Sequence, residues 1–277
     1  MVHNEPFFAP IWARHYGREV GAEHCYLLDH GSTDGSTRNL PVHVLPRSRT
    51  VRDEAARVDT VSAAVAELLE RYDAVVHVDV DELLLADPRR FASLADYALA
   101  APDVVTAFGL ELQHLPGEEA ALDPGRPIGA QRRWVRFAAA MCKPALVRRP
   151  VRWSPGFHSS DAPLALDMLY LVHLRYVDLR AALCRLAATR VMAAVEPSSN
   201  AHHRVTDADF AAMVHAVAAL PREDAEPFDL RAAPLAAWAE RLRRSRAERE
   251  DQQYKLDLSL SGDRLWELPA AFKGRLQ

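Results

Sequence analysis

Residues 74–85, AVVHVDVDELLL, carry a valine-rich apolar run into three carboxylates, Asp79, Asp81 and Glu82, and then return to leucine. Apolar runs of this length with β-branched residues are typical of strands buried on both faces, so the segment predicts a central strand of an α/β sheet. Side chains alternate along a strand, which places Asp79 and Asp81 on one side, near enough to share a cation. Two ionised carboxylates that close repel one another unless a metal ion or a strong donor lies between them. The segment therefore predicts a metal site at a strand tip. The plainer alternative is that the acidic residues mark the chain leaving the core, one of them capping the next helix.

The rest of the composition narrows the class. A chain of 277 residues, 49% hydrophobic and 26% charged, has ample material for the core of one large domain. Its net charge of −4 offers nothing to nucleic acid or an anionic membrane. Cys25, Cys142 and Cys184 are too scattered for a disulfide framework or a zinc site, and a reducing cytoplasm is the expected setting. No run of 18 apolar residues is present, so no integral membrane segment is expected, and the first residues lack a signal-peptide pattern. Lysine occurs only at Lys143, Lys255 and Lys273.

Up to residue 115 the chain alternates helix and strand. Phe7, Phe8, Ile11, Trp12 and Tyr16 recur at helical spacing over 6–19, with Gly21 as a stop. Strands are expected at 25–28 and 42–45, separated by the turn-rich loop HGSTDGST at 30–37. An amphipathic helix fits 52–72, with Val58, Val61, Val65, Leu68 and Leu69 as its buried stripe. A helix at 91–100 and a strand at 104–112 follow the acidic segment. This order predicts a mostly parallel sheet with ligands bound beyond the carboxyl ends of its strands, where Asp29 and Asp79 both fall. Further on, strands are expected at 142–147 and 169–175, flanking the loop WSPGFHSSDAP at 153–163. Helices are expected over 178–194, 206–220 and 232–250, and the charged region after about 225 reads as a peripheral helix or tail.

Six ordered segments together carry a resemblance: NEPFFAPIWARHYGREVGAEHCYLLD, the HGSTDGST loop, YDAVVHVDVDELLLADP, MCKPALVRRPVRW, the GFH at 156–158 and LVHLRY at 171–176. Over roughly residues 3–180 the chain resembles a bacterial family 2 type glycosyltransferase and is similar also to the family 92 pattern. The resemblance implies a Rossmann-like GT-A fold, with a mostly parallel sheet flanked by helices. It divides the chain into a nucleotide-sugar-binding, catalytic domain at 1–177 and a helical region at 178–277 packed on it or partly peripheral. The implied activity moves a sugar, with inversion, from a UDP- or GDP-type donor to a glycan or small-molecule acceptor, with Mn²⁺ or Mg²⁺ as cofactor.

The resemblance also assigns residues. Asp79 and Asp81 match the motif that holds the metal on the donor diphosphate, a setting in which hard oxygen ligands suit these cations. Asn4, Glu5, Asp29 and Asp34 fall in the donor-binding segments, Asp29 beside the nucleoside. Arg57 matches a nucleotide-contacting arginine, with an ion pair to Asp53 or Asp59 as the alternative. His158 is expected as a third metal ligand or a diphosphate donor, with His173 behind it unless His173 is a hydrogen-bonded core histidine. Lys143 is expected on phosphate or acceptor unless it is solvated. For the base that takes the acceptor proton the expectation is Asp161, then Glu82, with Asp167 and Glu111 left open. Two departures from the pattern stand out. His30 replaces an expected aspartate, and almost no strand precedes Asn4. Two rivals to the transferase reading are a non-catalytic sugar- or nucleotide-binding module and a sugar nucleotidyltransferase, although the glycine-rich phosphate loop of the latter is missing before residue 40.

Overall fold

Apolar residues at i, i+3, i+4 and i+8 give the first helix one buried stripe. In the computed structural model, which describes residues 1–49, 53–195 and 205–277, this helix is α1, Phe8–Tyr16, and it buries Phe8, Ile11, Trp12 and Tyr16. The chain leaves α1 through a wide turn over Gly17–Gly21, where Gly21 has φ +91°, a conformation that glycine adopts without a Cβ penalty. Strand β1, Tyr26–Asp29, then pairs in parallel with β2, His43–Pro46, and Val2 bridges Asp29 on the same ribbon. Helix α2, Glu54–Leu69, starts at Asp53, whose carboxylate accepts from the Ala55 and Ala56 amides at 2.8 and 3.2 Å. Its expected first residue, Arg52, lies outside the described residues. Val58, Val61 and Val65 form its buried stripe against Val75, Val104, Val147 and Phe157.

The expected strand at 74–85 is two strands separated by a turn. Val75–Val76 is β3, Glu82–Ala86 is β4, and residues 77–81 between them belong to no strand, with a turn at 80–81. The Glu82 amide donates to the Asp79 carbonyl at 3.1 Å and closes the turn. Valine lies on one side of the break and leucine on the other, so the apolar run reads as continuous although the chain changes course at the carboxylates.

After α3, Leu94–Ala100, comes the ten-residue strand β5, Val104–Gln113, buried along its whole length. Strand β8, Leu166–His173, lies parallel to it on one edge, with β4 antiparallel beyond β8. The other edge of β5 is shared. Strand β7, Pro144–Val147, takes the amino-terminal half and β6, Trp134–Phe137, the carboxyl-terminal half, both antiparallel. Beyond β7 lies β3, again antiparallel. The protein is thus a mixed α/β fold. Parallel pairing occurs in β1–β2, in β5–β8 and between the short strands at 222–223 and 265–267, while the hairpin-like returns in the middle of the chain make much of the large sheet antiparallel. Alternating helix and strand signals predict parallel order only where a helix crosses over each time.

The carboxyl-terminal region contains α4, Leu179–Val195, α5, Asp207–Ala218, and α6, Leu235–Glu248. It also contains the short strands β9, Arg222–Glu223, and β10, Leu265–Glu267, and a last turn of helix, α7, Ala270–Lys273. The peripheral tail expected after about 225 is instead seated in the main core. Strand β10 pairs with β6, and Phe228, Leu235, Leu242, Trp266, Phe272 and Leu276 are fully buried there. The charged face of α6 dominates the local composition, and nothing in the short apolar stretch at 265–272 says which distant strand it joins. Gly129 marks how close the docking is: a Cβ there would lie 1.9 Å from the Lys273 carbonyl oxygen. Among the described residues no helix is long and apolar enough to cross a membrane.

Candidate functional site

A cavity of about 820 Å³ opens where the β3–β4 turn and the ends of β5 and β8 meet the amino terminus, α2 and the α4–α5 pair. Strand register sets its floor. Glu82 on β4 lies opposite His173 on β8, and His173 lies opposite Glu111 on β5. Three ionisable side chains therefore stand in one row across three adjacent strands. The turn carrying the carboxylates is braced from beneath by Tyr16, whose hydroxyl donates to the Glu82 carbonyl at 3.0 Å and accepts from the Leu84 amide at 2.9 Å.

Five carboxylates at and around that turn are held by three side-chain cations. Arg57 on α2 bonds to Asp79 and lies 3.1 Å from Glu54. Lys143, which is buried, reaches Asp79 at 3.1 Å and Glu82 at 2.6 Å. Arg185 on α4 bonds to Asp81, with Glu5 3.0 Å away, and His173 Nε2 lies 3.3 Å from the same Asp81 oxygen. Burial by itself raises the carboxyl groups of Asp79 and Asp81. At Asp79 the adjacent Arg57 and Lys143 outweigh it, at Asp81 Arg185 and His173 do so, and both aspartates stay well below the usual carboxylate range. Lys143 and Arg185 are desolvated as well, yet their carboxylate partners raise both above the ordinary value and keep them charged.

Two glycines shape the far wall. A Cβ on Gly109 would lie 2.5 Å from the Ala138 carbonyl oxygen and 2.7 Å from the Cys142 amide, so only glycine lets the 138–142 segment close onto β5. That segment delivers Lys143 to the carboxylates. It also supplies the Ala140 carbonyl that accepts from His158 Nδ1 at 2.8 Å, which leaves the Nε2 lone pair for the cavity. Gly156, at φ +73°, makes room for the imidazole, since a Cβ would lie 2.8 Å from its Nε2. Burial, aided by Lys143, lowers the His158 pKa to about 4, so its ring is neutral near pH 7.

Glu5, Arg57, Asp79, Asp81, Glu82, Lys143, His158 and His173 all line this cavity, together with Glu111. Asn4, Asp29 and Asp34 do not, and their hydrogen bonds shape the 30–37 loop instead. The Asn4 side chain accepts from the Thr33 and Asp34 amides at 2.8 and 3.3 Å. Asp29 accepts from the Ser32 amide and the Thr37 hydroxyl at 2.9 and 2.8 Å, and Asp34 caps the Ser36 amide at 2.9 Å. The ion pairs of Arg57 run to Glu54 and Asp79, and Asp53 is the helix cap, so neither expected partner is used. Lys143 is buried between two carboxylates and is not solvated. Asp161 faces away from the cavity. The Trp153–Ser160 bridge folds its loop so that His158 turns inward while Asp161 pairs with the exposed Arg152 at 3.3 Å. Asp167 accepts from the Tyr97 hydroxyl at 2.8 Å, also outside the cavity lining.

The sequence reading gave Arg185 no role. Its one local signal is weak: a guanidinium among Ala182, Leu186 and Thr189 on a single face of an alanine-rich helix. The Mn²⁺ or Mg²⁺ implied by the resemblance does not fit the site as folded. Both aspartates of the motif are taken up by cations, and among the described residues no three His, Cys, Asp or Glu side chains converge to hold a metal ion. No protein-family model matches this chain, and no curated protein matches it.

Proposed function

We propose that the cavity binds a nucleoside-diphosphate sugar of UDP or GDP type and that the protein is a glycosyltransferase acting on a glycan or small-molecule acceptor. The observation that carries this reading is convergence. Residues from the NEP segment, the helix after the second loop, the Asp-x-Asp turn, the lysine segment, the GFH loop and the LVHLRY strand are far apart in sequence, yet they line one cavity. Five of those segments carry the resemblance to family 2 and family 92 enzymes, the helix adds the arginine that the resemblance assigns to the nucleotide, and a GT-A arrangement is part of the proposal. A volume of about 820 Å³ is ample for a nucleotide sugar.

In this reading Arg57, Lys143 and Arg185 offer charge-assisted N–H donors to the diphosphate. The inverting step would pass the acceptor hydroxyl's proton to a carboxylate at the cavity floor as that oxygen attacks the anomeric carbon. The bond from that carbon to the diphosphate breaks, and the nucleoside diphosphate leaves with the electron pair. Of the carboxylates considered from sequence, Glu82 and Glu111 lie on that floor. Glu82 is bound to Lys143, whereas Glu111 accepts from Arg136 through Oε2 alone, at 2.6 Å. Glu111 is therefore the better placed, and Asp161 and Asp167 have no part in this version.

A non-catalytic binding module is the second reading. It is favoured by the density of the ion-pair network, which can be purely structural. Incubation with a panel of UDP- and GDP-sugars separates the two. Slow release of free sugar, abolished in Glu111→Gln while nucleotide binding persists, supports the transferase. Nucleotide binding without release from any donor supports the module.

A further inference from the structure

Arg185 is held on three sides. Its Nη1 donates to Asp81, its Nε donates to Glu5 at 3.0 Å, and its guanidinium carbon lies 4.9 Å from the centre of the Phe8 ring. The side chain nevertheless keeps 31% of its surface and lines the cavity. A guanidinium carries five N–H donors in a planar fork suited to phosphate, so donors remain for a ligand after these contacts are made. A cation gripped by two carboxylates and an aromatic face, with one side left open, is built like a fixed binding element.

We infer that Arg185 is the fixed cation that meets the donor diphosphate, in the place a divalent ion would take at Asp81, so that nucleotide binding here requires neither Mn²⁺ nor Mg²⁺. This inference rests on the nucleotide-sugar reading above. Its strongest support is that each of the three cations has a second carboxylate anchor besides the Asp-x-Asp pair, so all three stay in the cavity as fixed positive charge. Arg57 has Glu54 as a second anchor at 3.1 Å, Lys143 has Glu82 at 2.6 Å, and Arg185 has Glu5. A divalent ion needs direct contact with carboxylate oxygen at about 2.0–2.6 Å. Reaching Asp81 would mean breaking its contact with Arg185 Nη1 and the His173 contact on the same oxygen. A phosphate can instead be met by the N–H donors that these contacts leave unused on the exposed part of the side chain.

Calorimetry with UDP and with GDP, each in excess EDTA and in excess MnCl₂, tests this directly. The expected result is binding of one nucleotide in EDTA, within about threefold of its affinity in MnCl₂. Arg185→Met should weaken the EDTA binding about tenfold or more, the loss of one charge-assisted contact. Because that variant leaves Glu5 and Asp81 without their partner, the charge-matched pair Arg185→Met with Glu5→Gln serves as a second test and should show the same loss. Nucleotide binding that appears only with MnCl₂, or that is unchanged in EDTA for both variants, overturns the inference while leaving the nucleotide reading intact. No binding of either nucleotide under any condition overturns both.

Discussion

Lys143 shows how a single buried charge can organise a site. Its ammonium group lies within hydrogen-bond reach of two carboxylates, and the side chain is almost fully covered. Removing one partner of such a cluster exposes the others to the full cost of burial, so Lys143→Met should destabilise the fold by about 3–5 kcal/mol in urea titrations. The double variant Lys143→Met with Glu82→Gln should recover much of that loss. A different residue contributes to behaviour in acid. His15 is buried with Nε2 2.9 Å from the Leu84 carbonyl oxygen, and burial lowers its pKa. Below about pH 6.5 the unfolded chain takes up a proton that the folded histidine refuses, so stability falls as pH drops from there toward the lowered folded value. Unfolding midpoints of His15→Gln should accordingly fall less between pH 7 and pH 5 than those of the parent protein. Little of this was legible beforehand. Asp79, Asp81, Lys143 and His158 were marked by motif and rarity, but Arg185 is one arginine among many, and no local pattern says that α4 folds back over the amino terminus.

At the scale of elements, periodicity made the helices easy to read. Regular valines on α2 and the mostly apolar run of β5 agree with the structure to within a few residues at the ends of each element. The acidic segment misled because composition records burial and not direction. Two short buried strands joined by a turn look the same as one long strand. That error had a chemical consequence, since alternation along a single strand would have aimed Asp79 and Asp81 at a common cation. The turn instead hands each to a different partner. Support for the site runs through backbone packing, most plainly at Gly109. Gly109→Ala should push the 138–142 segment off β5, lowering the thermal midpoint and weakening nucleotide binding together, because Lys143 and the Ala140 carbonyl move with it. Gly35→Ala is a useful contrast, since a Cβ there meets nothing within 4 Å, although the residue's φ of +79° carries its own backbone cost.

Across the whole molecule, the carboxyl-terminal region completes the core instead of decorating it. Trp266 and Phe272 are fully buried beside residues from the first half of the chain. Trp266→Ala or Phe272→Ala should each cost about 3–5 kcal/mol. A chain ending at residue 224 should fail to give a cooperative thermal transition by circular dichroism, having lost Phe228, Trp266 and Phe272 together. Long-range docking of this kind leaves little trace in sequence, because short apolar stretches do not name the distant residues they will meet.

The row formed by Glu82, His173 and Glu111 also bears on how accurately the sheet assembles. If β8 slid by one residue against its neighbours, Val172 or Leu174 would stand where His173 does, and the imidazole would face the apolar interior. The same slip would strip Asp81 of its histidine contact. Misaligned pairings are therefore penalised twice, once in the interior and once at the rim, and the charges that equip the cavity also proofread the alignment of the strands that build it.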